Sequence, residues 1–172
     1  MSTLLKPLAL GLAALALGLM LAPSASAQDR APRLLNTWED PVKLPDGSET
    51  VYRYEVTYDY DTGVALRTAY DTFGNTVEVK EMAQAPAPSA EEIAEAMAIV
   101  QGDAELSALA AARNATVDGG FLLYGDQIEA CAAPARCLQF DIMGPDKIES
   151  VRFVVVDLRT GQIVERDLFP DL

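Results

Sequence analysis

The chain reads as an α+β protein in which a helix and a short second helix pack on an antiparallel β-sheet, preceded by a β-meander. Three observations predict this. Pro88 to Arg113, PSAEEIAEAMAIVQGDAELSALAAAR, is the one convincing helical stretch after the N-terminus. Val51 to Tyr60 alternates strictly, with Tyr52, Tyr54, Val56, Tyr58 and Tyr60 on one face and Arg53, Glu55, Thr57 and Asp59 on the other, the period of a half-buried strand. The motif D-x-x-T-G ends a strand at Asp59 to Gly63 and again at Asp157 to Gly161. In it the aspartate and threonine satisfy turn N–H groups while glycine supplies positive φ.

The helical stretch carries its own boundaries. Ser89 and Glu92 form an S-x-x-E capping box, so each side chain reaches the other's backbone N–H. Ile93, Met97 and Val100, with Ala96 beside them, make one apolar stripe, and Glu91, Glu92 and Glu95 are expected to face water. Gly102 stops this helix, and Asp103 caps a second one carrying Leu106, Leu109 and Ala110.

Residues 1–27 read as a secretory signal peptide, because Lys6 precedes an apolar run from Leu8 to Leu21 that ends in Pro23 and then Ala25-Ser26-Ala27. The run is shorter than the roughly 20 residues of a spanning helix. No cysteine stands at the cleavage site to take a lipid. The expected mature chain is therefore periplasmic or secreted, without membrane insertion. Removing 27 of the 172 residues leaves 145, which suits one domain. Its 12 basic and 26 acidic residues give a net charge of −14, which repels nucleic acid and keeps an exported protein in solution.

Residues 28–50 are polar and turn-rich, with Pro32, Pro41 and Pro45-Asp46-Gly47-Ser48, and read as an extended N-terminal segment. The single domain is expected over 51–172. In it 51–82 forms a three-stranded meander, 89–113 the helices, and 119–169 antiparallel strands ending in a hairpin from Val151 to Leu168.

The chain has no histidine, which removes Ser-His-Asp and Cys-His catalysis and the usual zinc and copper ligand sets. No cofactor or metal is expected. Cys131 and Cys137 are the only cysteines, and in an oxidising compartment they are expected to form a structural disulfide. The alternative, a redox-active pair, lacks the C-x-x-C spacing and has only Arg136 as a basic neighbour. A carboxylate-based hydrolase is the one enzyme class left open, and nothing in the sequence sets a carboxylate separation for it.

The order PSAEEIAEAMAIV, a short second helix, then strands ending in VRFVVVDLRTGQIVE resembles the small N-terminal accessory domains (N2/N3-type) of copper amine oxidases. The closing D-x-x-T-G-x-(I/V)-V is also similar to PepSY-type domains. The resemblance covers Pro88 to Phe169. It implies a cystatin-like module, a helix cradled by an antiparallel sheet, with no catalytic residues of its own. Amine oxidation itself is excluded, because its copper site needs histidines that this chain lacks.

Two surfaces qualify as binding sites. Tyr52, Tyr54, Tyr58 and Tyr60 either form an aromatic platform for sugar rings or peptide side chains, or cover the helix and sheet as core. Trp38 is open to the same two readings. Asp59, Asp61 and Asp71 come from neighbouring turns and offer oxygen ligands for calcium, or simply close those turns. The reading that follows is an exported, non-enzymatic interaction module, a regulator, inhibitor or accessory subunit of a secreted enzyme, whose partner is another exported protein. The alternative is a small-ligand or cation binder.

Overall fold

The computed structural model describes residues 31–169, so the expected signal peptide lies outside the described residues. Two four-stranded antiparallel sheets and two α-helices make an α+β fold. The first sheet has the order β1 (Arg33–Lys43), β2 (Glu49–Tyr58), β3 (Ala65–Tyr70) and β4 (Thr76–Glu81). Helices α1 (Ala90–Gly102) and α2 (Ala104–Arg113) follow, then the second sheet, β5 (Thr116–Leu123), β6 (Cys137–Met143), β7 (Ser150–Asp157) and β8 (Gln162–Glu165). No helix among the described residues is long and apolar enough to cross a membrane.

The expected three-stranded meander has a fourth strand. Part of the N-terminal segment read as an extended lead-in pairs with β2 from Arg33↔Tyr58 to Lys43↔Glu49. Its sequence hides this because most of β1 is half or fully exposed, so neither face needs an apolar pattern. Pro41, read as a turn residue, is tolerated because β1 is an edge strand.

Local signals place the helices as expected. Ser89 and Glu92 form the reciprocal capping box, Asp103 accepts from the N–H groups of Glu105 and Leu106, and Asn114 ends α2 in the left-handed region at φ 51°. The buried line of α1 is nevertheless Glu92, Ala96 and Val100, with Ile93 and Met97 only half-buried beside it. The stripe is thus turned by about one residue from the expected one, and Glu92, expected in water, is fully buried.

Helix α1 lies across the second sheet, where Leu138, Phe140, Ile142, Val154 and Val156 meet Ala96, Val100 and Leu106 in one core. Gly120 lets them approach: at φ +102° it brings its backbone so near the helix that a Cβ would stand 2.9 Å from Ile93 Cγ1. The first sheet joins this core at one end only, through Tyr58, Tyr60 and Ala65, with Leu35 and Met82 at the margin. Its other end extends past the core, and every residue of β4 is exposed.

Candidate functional site

A cleft of about 670 Å³ opens where the two sheets meet. It is lined by Tyr58 and Gly63 of the first sheet, the connector Ala83 to Ala85, the end of β5 with Tyr124 and Asp126, and the loop from Cys131 to Cys137. Several close approaches fix these walls. Cys131 and Cys137 are joined by a disulfide with a Cα–Cα distance of 5.6 Å, and both are buried. A Cβ on Gly63 would stand 3.0 Å from Pro134 Cα, so the β2–β3 turn rests directly on the disulfide loop. A Cβ on Gly125 would meet Ala132 Cα at 2.7 Å, which presses the chain after β5 against the same loop.

Beneath the cleft lies a buried ionic network. Arg136 donates from Nε and Nη2 to Glu92 Oε1 and Oε2 at 2.5 and 2.8 Å. Tyr60 Oη donates to Glu92 Oε1 at 2.6 Å, and the Ser89 N–H donates to Oε2 at 2.9 Å. Arg136 also reaches the Pro86 carbonyl, at 3.2 Å from Nη2, and its guanidinium carbon lies 4.4 Å from the centre of the Tyr58 ring. Burial pushes the Glu92 carboxyl up, but the Arg136 and Tyr60 hydrogen bonds and the arginine charge outweigh it and hold the group below the usual range. Tyr60 is raised, first by burial and then by its bond to Glu92. Each carboxylate oxygen of Glu92 accepts two hydrogen bonds, so the network braces helix, connector and loop.

Sequence reasoning gave Arg136 a place beside the cysteines and missed its partner. The available signal was the capping box, since a Glu92 that folds back on Ser89 already turns from solvent toward the helix start. The Arg136 backbone is fixed as firmly. Its N–H donates to Asp157 Oδ1 at 3.0 Å, and its carbonyl accepts from the Leu158 N–H at 2.9 Å. Asp157 thereby serves two structures, because the same oxygen accepts from the Arg159 N–H of its own D-x-x-T-G turn. The two copies of that motif close alike, Gly63 N–H to Asp59 O and Gly161 N–H to Asp157 O, both at 2.8 Å.

The tyrosine face divides. Tyr58 and Tyr60 are core residues at 3% and 1% exposure and cannot belong to an open platform. Tyr60 has also left the strand for the turn after β2. Tyr52 and Tyr54 are half-exposed farther along β2. There the Trp38 ring stacks on Tyr54 with centroids 5.2 Å apart, Tyr52 meets Tyr54 edge-on, and Arg67 lies over the Tyr54 ring. Trp38 Nε1 donates to Asp40 Oδ2 at 2.8 Å.

The acidic residues proposed for calcium are not brought together. Asp59 and Asp61 lie in the turn before β3 and Asp71 in the turn after it, at opposite ends of a six-residue strand about 20 Å long. Asp59 is occupied with the N–H groups of Asp61 and Thr62, and Asp71 with Phe73 and Asn75. Among the described residues no group of three or more acidic or cysteine side chains is placed to hold a metal ion. A scan against protein-family models and a search of curated proteins both find no match to this chain.

Proposed function

We propose that this chain is an exported, non-enzymatic interaction module of cystatin-like architecture that binds another exported protein, as a regulator, inhibitor or accessory subunit of a secreted enzyme. The cleft over the disulfide carries the reading. Its walls are clamped by a covalent link and two glycine contacts, its exposed lining is mostly apolar or small, and the charged groups below it are consumed by one another. A helix lying across one four-stranded antiparallel sheet fits the cystatin-like module that the sequence resembles. The amino-terminal pattern of residues 1–27 and the cysteine pair support export to a periplasm or beyond the cell.

The test is co-purification from the native host with the wild-type protein and with Ala133→Trp, which places a large ring at the exposed cleft rim. A partner retained by the wild type and lost by the variant supports the reading; equal retention by both removes the cleft from it.

A second reading rests on the open half of the tyrosine face, a small-ligand binder using Trp38, Tyr54 and Tyr52. Trp38 is the only tryptophan, so its emission reports this surface directly. Titration with oligosaccharides or peptides that leaves emission and melting temperature unchanged rules it out for those ligands.

A further inference from the structure

The four sheet edges are not equally protected. Edge β1 carries Pro41 and a bulge near Leu34, β5 has a bulge at Gly119 to Phe121, and β8 is only four residues long. Edge β4, Thr76–Glu81, contains no proline; its own bulge lies near its start, at Val77, and its pairing with β3 is regular from Glu78 to Glu81.

The polarity of this edge follows from one bond. Met82 N–H donates to the Ala65 carbonyl at 2.9 Å. Backbone groups in an antiparallel ladder alternate between the two sides, so Lys80 and Glu78 also direct theirs toward β3, while Val79 and Glu81 direct theirs outward. Val79 itself is 58% exposed. A second observation concerns charge. Lys80 stands directly across from Arg67, and Arg67 pairs with Glu78 at 2.8 Å. Lys80 has no ion pair among the described residues, although like charges set opposite each other destabilise a sheet.

We propose that β4 is a self-association strand, through which two copies of this chain pair antiparallel about a two-fold axis at Val79. Outward-facing residues must meet outward-facing residues, so Val79 faces Val79 of the second copy within the regular run Glu78–Glu81. The non-hydrogen-bonded positions, where side chains come closest, then place Glu78 against Lys80 twice by symmetry. A shift of two residues either way brings Glu78 against Glu78 or Lys80 against Lys80, so charge selects this one register. Lys80 gains the carboxylate that its own sheet denies it. A lysine on an edge normally deters stray strands, but a glutamate two residues earlier makes the edge complementary to itself. The joined edges form one eight-stranded sheet, and the small contact makes the dimer weak and concentration-dependent. None of Thr76–Glu81 lines the cleft, so this association and the proposed partner binding stand or fall separately.

Sedimentation velocity of the purified protein over a concentration series tests this. Dimer formation is expected at concentrations on the order of 100 µM. Val79→Pro removes an outward N–H while leaving the bonds to β3 intact, so it should be monomeric with an unchanged melting temperature. Lys80→Glu should weaken association about tenfold, and the exchange Glu78→Lys with Lys80→Glu should restore it. The charge variants keep the test open if the proline variant fails to fold. A wild type that stays monomeric overturns the proposal. So does association of a folded Val79→Pro at wild-type strength, which would place the contact elsewhere, or a charge exchange that does not restore what Lys80→Glu removes.

Discussion

Glu92 and Arg136, 44 positions apart, meet as a two-pronged ion pair whose side chains are 0% and 1% exposed. One residue belongs to the first turn of α1 and the other to the disulfide loop, so the pair ties the helix start to the far wall of the cleft. Tyr60 reaches the same carboxylate from the turn after β2. Three separate parts of the chain therefore converge on one carboxylate.

Breaking this pair on one side should be severe. Glu92→Ala leaves a buried guanidinium unpaired and also removes half of the capping box, and Arg136→Met leaves a buried carboxylate. Each is expected to lose about 3 to 5 kcal/mol in urea unfolding. Replacing both by apolar residues should lose clearly less than the sum of the two, since no buried charge then remains; additive losses would show that the two residues act independently.

Acid stability should have a defined window. Asp103 is held down to about 2, first by the Arg166 hydrogen bond and then by the Leu106 N–H; Asp59 and Asp71 are lowered by turn hydrogen bonds, and Glu92 is lowered as described. Folded values below unfolded ones mean that this stabilisation is fully present above about pH 4 and is lost as pH falls toward 2. Tyr58 and Tyr60 are raised by burial, so their contribution is full below about pH 10 and lost above it. With no histidine, melting temperatures should form a plateau between about pH 5 and 9, and a step inside that range would contradict this assignment.

The disulfide should act on stability and not on reactivity. For a loop whose ends are 6 positions apart, chain entropy gives about 2 kcal/mol. Cys131→Ala with Cys137→Ala should lower Tm by about 5 to 10 °C. Thiol titration of the native protein should find no free thiol, and finding two would sink the claim.

Gly120→Ala should separate α1 from β5. The new methyl group must occupy an unfavourable φ and press on Ile93, an expected loss of about 1 to 3 kcal/mol by chemical denaturation. Truncating the obstacle with Ile93→Ala in the Gly120→Ala background should recover none of the φ strain, so a full rescue would show that crowding alone was responsible.

The features legible in the sequence were those set by neighbours a few positions apart. The S-x-x-E box, the break at Gly102 and Asp103, the alternation through β2, both D-x-x-T-G turns and the pairing of the only two cysteines each follow from local backbone geometry or from composition. The α+β class follows from them. Tertiary structure decided what local pattern does not encode. The strand β1 arises from backbone pairing at an exposed edge, which demands no apolar period, and the tyrosine face divides because only one end of the first sheet reaches the core. Glu92 looked like a solvated helix residue because its partner lies in another element, and the net gain from burying a charge depends on that distant guanidinium. The cleft exists for the same reason, since its walls come from separated segments held together by long-range contacts.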